Sequence, residues 1–123
     1  MEMTFWERVE EDIRRYKGSR SYVHAGLLER LLVKELSPLQ MHPNPEDDFC
    51  QSKIGPNGGI IEHYREIIRY SKKHYAPIFA EPIIVRKIGK YEYMILNGHH
   101  RWAATLLSGA TSVRATIVNP KVR

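Results

Sequence analysis

Residues 91–107 constrain the architecture more than any other part of this chain. Tyr91 to Leu96 is an apolar run of strand type, and Ala103 to Leu107 carries helical spacing. Between them lies Asn97-Gly98-His99-His100-Arg101-Trp102. The pattern is strand, tight turn, helix, with glycine at the turn and two imidazoles and a guanidinium in the first helical turn. A helix N-terminus exposes unpaired N–H groups and the positive end of the helix dipole. A cation placed there gains only from an anion or an acidic partner. The cluster therefore predicts an anion site, above all for phosphate. The competing reading pairs Arg101 with Glu46, Asp47 or Asp48.

The remaining pattern supplies the elements around that turn. Phe5, Trp6, Val9, Ile13 and Tyr16 fall at helical spacing, with Thr4 as N-cap and Glu7 three residues on. A second helix is expected over residues 21–31. Residues 32–36 either continue it or form a strand, and Ser37-Pro38 ends the run. Met41 to Gly59 reads as one long loop, rich in proline, glycine and asparagine. Ile60 to His74 is helical, with Ile60, Ile61, Tyr64, Ile67 and Ile68 on one face. Pro82 to Ile88 is a strand, Gly89-Lys90 a two-residue turn, and Tyr91 to Leu96 its partner. The helix after Gly98 should stop at Gly109, and Val113 to Val118 is a last strand.

Composition narrows the function classes. At 123 residues the chain is one domain. It carries a net charge of +5. From Gly98 onward it has Arg101, Arg114, Lys121 and Arg123 and no acidic residue, a bias that favours phosphate-bearing partners, nucleotide or nucleic acid. No apolar run approaches the length of a membrane span, and the acidic, aromatic N-terminus does not resemble a targeting peptide. A single cysteine, Cys50, excludes an internal disulfide and fits a cytoplasmic protein. Metal chemistry has no pattern to support it: His-Glu-x-x-His and Cys-x-x-Cys are absent. His63 and His74 lie roughly 16 Å apart by helical rise. The glycines at 55, 58 and 59 are not followed by Lys-Ser/Thr, so they make no Walker loop. Phe5, Trp6, Tyr16 and Tyr22 cover an edge of the core or form a homodimer face.

Three segments, in order, resemble the ParB/sulfiredoxin superfamily. Met41-His42-Pro43-Asn44-Pro45 is similar to its "pNp" box, Glu81-Pro82-Ile83-Ile84-Val85-Arg86 to its "qPivVr" strand, and Gly98 to Ala104 to its "GxxRxxA" turn. The resemblance spans roughly residues 32–118. It decides for a strand over Leu32–Leu36. It implies an α+β fold in which a small mixed sheet packs with helices, here with an added N-terminal helical pair. Residues 1–31 would be that extension, packed on a domain of residues 32–123. The superfamily includes ParB proteins that bind CTP and clamp DNA, sulfiredoxins with a "GCHR" turn, and free serine kinases with a "GHHR"-like turn. His99 replaces the cysteine that sulfiredoxin chemistry needs. The arginine pair of "GERR" is missing, and no helix-turn-helix is expected after the turn. The turn resembles the serine kinases most, although those enzymes are considerably longer.

The resemblance implies a nucleotide (ATP, ADP or CTP) with Mg²⁺ as cofactors. Asn44, Gly98, His99, His100 and Arg101 are the candidate nucleotide-binding residues. Glu46, Asp48 and His100 are the candidate catalytic ones, a carboxylate serving as base or Mg²⁺ ligand. Adjacent helical residues point about 100° apart, so one histidine should face the site and the other support the loop. The expected reaction, if any, is phosphoryl transfer or nucleotide hydrolysis. The alternatives are a non-catalytic ParB-like accessory protein that binds DNA or RNA through the basic C-terminal third, and a protein-interaction module.

Overall fold

The computed structural model describes residues 4–18, 33–51, 55–74 and 82–118. The expected helix over 21–31, with Tyr22, lies outside them. Helix α1 spans Phe5–Arg15. Thr4 Oγ1 accepts the Glu7 N–H at 3.1 Å, which caps it as the sequence predicts. Helix α2 spans Gly58–His74 and α3 His99–Leu107. The strands are β1 (Val33–Leu36), β2 (Met41–His42), β3 (Ile83–Gly89), β4 (Glu92–Asn97) and β5 (Val113–Ile117). They form one mixed sheet in the order β1-β5-β3-β4-β2. The β1/β5 and β3/β4 pairs are antiparallel; β3/β5 and β2/β4 are parallel. The fold is α+β, as expected.

One sheet face carries the main core. Ile83, Val85, Tyr93, Ile95, Val113 and Ala115 pack with Val9 of α1, Ile61 and Ile68 of α2, and Trp102, Ala103 and Ala104 of α3. The small Ala103-Ala104 pair lets α3 lie close to the sheet. The opposite face holds Ile84, Leu96 and Val118. Helix α3 stops where glycine permits: Gly109 has φ 72°, and the Ala110 N–H reaches back to Thr105 O at 3.2 Å. No helix among the described residues is long and apolar enough to cross a membrane.

Three expectations on local structure need correction. Residues 41–59 are not a single loop. Met41 and His42 form β2, buried and hydrogen-bonded to β4, and Asp48–Cys50 winds into a 3-10 turn. Helix α2 starts two residues earlier than Ile60, because Asn57 caps it: Asn57 Oδ1 accepts the Ile60 N–H at 3.1 Å. The hairpin turn is Lys90–Tyr91, one residue later than expected, with Gly89 paired to Glu92.

That shift puts Tyr91 at φ 59°, a left-handed backbone that costs a side chain about 1 kcal/mol. Its ring is exposed, with the Lys90 ammonium 5.6 Å from the ring centroid. Tyr91→Gly is expected to raise stability by about 0.5 kcal/mol, after the entropy of an extra glycine is subtracted. Urea unfolding checks this. A lowered midpoint would mean the ring's contacts outweigh the backbone strain.

Candidate functional site

Parallel pairing of β2 with β4 decides where the site lies. Both strands run the same way, so the loop leaving β2 and the turn leaving β4 emerge at one end of the sheet. The loop is Pro43 to Cys50, and the turn is Gly98 with the N-terminus of α3. Gly98 has φ 104°, and a Cβ there would sit 2.8 Å from Arg101 Nη2. That backbone favours glycine, and the guanidinium folds over the space a side chain would take. Arg101 Nη1 also donates to Pro82 O at 3.4 Å.

The two histidines are structural anchors on either side of the turn. His99 is buried, 3% exposed. Its Nε2 accepts the Asn44 N–H at 2.9 Å, and its Nδ1 lies 3.4 Å from Asp47 Oδ2. An amide N–H can only donate, so Nε2 is unprotonated and Nδ1 carries the proton. Burial pushes the imidazole down to about 4, against the pull of Asp47, with His100 adding to the depression. His100 Nε2 accepts the Asn57 N–H at 3.0 Å, and burial lowers its pKa as well, again against Asp47. Phe49 fills the space between, its ring centroid 5.4 Å from His99 and 5.2 Å from His100.

The arrangement brings together Asn44, Gly98, His99, His100 and Arg101. Asn44 is fully buried and its Oδ1 accepts the Glu46 N–H at 3.1 Å, which shapes the loop. Glu46 and Asp48 are exposed on the same loop. The acidic residue that turns inward is Asp47, which also accepts the Phe49 N–H at 3.1 Å. Sequence reading chose its two neighbours, although an aspartate one residue before a short turn is a capping signal. Asn57 was not singled out from the sequence either. Its backbone joins the N-terminus of α2 to that of α3 through His100.

Other candidates fall away from the turn. Burial pushes the Cys50 thiol up to about 12, which disfavours a thiolate. His63 is exposed on α2. Among the described residues no group of three acidic, histidine or cysteine side chains is arranged to hold a metal ion.

A family model described as the ParB N-terminal domain matches residues 78–123. ParB from Caulobacter crescentus, solved with CTP-gamma-S, superposes with a TM-score of 0.56 at 22% identity, covering 72% of this chain and 45% of that one. Sulfiredoxin from Arabidopsis thaliana gives 0.53 at 18% identity, covering 72% and 85%. The chain has the ParB/sulfiredoxin fold. A free serine kinase in complex with AMP shares that fold, with a TM-score of 0.53 at 21% identity over 84% of this chain and 33% of the kinase. The chain thus spans under half the length of that ParB and a third of the kinase. No curated protein matches the sequence. In the ParB/sulfiredoxin fold described here, the segment of strongest sequence signal and the convergence of loop, turn and two helix N-termini coincide.

Proposed function

We propose that the Gly98–Arg101 turn seats the phosphates of a nucleoside di- or triphosphate. The observation that carries this is the convergence of two helix N-termini. The Asn57 N–H bonded to His100 Nε2 brings the start of α2 against the start of α3. The starts of the two helices then lie together, with the Arg101 guanidinium folded over Gly98 beside them, an arrangement that favours a multiply charged anion. That the related ParB was solved with CTP-gamma-S, and the serine kinase with AMP and with ADP, supports a nucleotide as that anion.

Within this reading, the histidines position and do not transfer protons. Each uses its lone-pair nitrogen on a backbone N–H, and each is biased toward the neutral form. Glu46 and Asp48 are left as the carboxylates able to turn toward a substrate. One would take the proton of an acceptor hydroxyl as a terminal phosphoryl group passes from the nucleotide to that oxygen. The other would help hold Mg²⁺ carried by the phosphates.

Thermal-shift titration with ATP, ADP, CTP and GTP, with and without Mg²⁺, tests the site. A hundredfold excess over the dissociation constant stabilises by about 2.7 kcal/mol. Arg101→Ala is expected to weaken the nucleotide that binds by roughly tenfold to hundredfold, the effect of losing a charge-assisted contact. Its unliganded unfolding midpoint should stay near that of wild type. No shift with any nucleotide, or unchanged affinity in Arg101→Ala, would overturn the assignment.

A further inference from the structure

The proposed phosphate site leaves one buried cluster unexplained, at the edge of the sheet where α1 docks. Asp12 of α1 is 5% exposed, and its Oδ2 lies 2.8 Å from His42 Nδ1. Glu92 of β4 meets the other ring nitrogen, Nε2. A neutral imidazole has one N–H and one lone pair. With a carboxylate at each nitrogen it donates to one and turns its lone pair on the other. Only the imidazolium donates to both. Burial pulls the His42 pKa down, yet the bonds to Asp12 and Glu92 outweigh it, and the value is raised above that of an ordinary imidazole.

Among the described residues, the other charged and titratable groups facing the ring come from α1 and from Tyr16, which follows it. Arg8 Nε lies 3.9 Å from the same Asp12 Oδ2, and its Nη2 donates to Met41 O at 3.3 Å. The Tyr16 ring stands 4.8 Å from the imidazole, with Arg15 over that ring. The residue opposite His42 on β4 is Met94, which is uncharged. Just past α1, a methyl group on Gly18 would collide with Glu46 Cγ and lie 3.1 Å from Asn44 Oδ1. The chain leaving α1 therefore rests on the loop that His42 begins.

We propose that Asp12, His42 and Glu92 form a proton-operated latch, in which the doubly bonded imidazolium clamps α1 and the start of the loop to the sheet edge. Loss of the proton releases one carboxylate. Glu92, the more exposed of the two, turns to water, and Asp12 keeps its bond to the neutral ring's N–H but loses the attraction of the imidazolium charge. The latch is closed below the ordinary imidazole value of about 6.5 and loosens as pH rises through the higher folded value. This holds whether or not the turn binds a nucleotide.

Hydrogen exchange of the full chain, corrected for intrinsic rates, reads the latch directly. Between about pH 6 and about pH 8.5, protection of residues 5–15 should fall roughly fivefold relative to β3 and β4, the scale of losing one charge-assisted hydrogen bond. In His42→Gln the ratio should not change with pH. In Glu92→Gln the amide donates to the neutral ring while the ring donates to Asp12, so α1 should stay protected at both pH values. A ratio that is flat in wild type, or that falls equally in these variants, overturns the proposal. If His42→Gln does not fold, Glu92→Gln decides, since its site is half-exposed.

Discussion

Replacing Trp102 by alanine is expected to remove about 3–5 kcal/mol of stability, the usual loss for a large aromatic side chain deleted from a core. The side chain is fully buried. Its ring packs 5.3 Å from Phe5 of α1 and 6.3 Å from Phe49 of the loop. Its Nε1 donates to Pro38 O at 2.9 Å, in the 3-10 turn that leads into β2. One residue thus ties α3 to α1, to the loop and to the chain entering β2. A domain of this size has a total stability of about 5–15 kcal/mol, so the variant should be partly unfolded at physiological temperature. Trp102→Phe separates the two contributions. It keeps most of the ring and loses the N–H, for an expected cost of about 1–3 kcal/mol. Urea unfolding of both variants checks the ranking. A loss below about 1 kcal/mol in Trp102→Ala would mean that the surroundings collapse onto the cavity.

The turn was legible because its chemistry is local. A glycine before two histidines and an arginine, between a strand pattern and a helix pattern, needs no distant partner to be read. Gly98 at φ 104° and the helix from His99 bear this out. The cap at Thr4 and the end of α3 before Gly109 were legible for the same reason. The hairpin was found but misplaced by one residue, since glycine is the expected left-handed residue and Tyr91 takes that conformation instead.

What was not legible depends on partners far apart in sequence. Strand β2 is two residues long, too short to show alternation, and exists only through its pairing with β4. Asp12 and His42 are thirty residues apart, and nothing in the sequence near either announces the other. The inward role of Asp47 follows from how the loop folds around Asn44 and Phe49, not from its charge. The sequence reading took Glu46 and Asp48 from this run as candidate catalytic carboxylates, and the member that lies against His99 is Asp47.

Acid should destabilise the folded chain through His99, and His99→Gln should abolish that contribution. The unfolded imidazole takes up a proton near pH 6.5. Folded and buried, it resists down to about 4. Between those values the unfolded chain binds one more proton than the folded one. Stability therefore rises with pH there, and each unit of acidification removes about 1.4 kcal/mol, on the order of 3 kcal/mol across the window. His100 shifts in the same direction. His42 is silent in this range, because below about pH 6.5 both states carry its proton; its contribution is lost only at higher pH. His42, which begins the loop, and His99, which bonds Asn44 within it, thus limit stability from opposite sides. Glutamine at position 99 offers Oε1 to the Asn44 N–H but does not titrate, so its acid slope should be shallower by about one proton. His99→Ala leaves that N–H buried without an acceptor, at a cost of about 1–3 kcal/mol beyond the cavity beside Phe49. Urea unfolding of wild type and His99→Gln at about pH 5 and about pH 7.5 decides the matter. Equal slopes would show that His99 is protonated in the folded chain and that the Asn44 N–H does not bond to its lone pair.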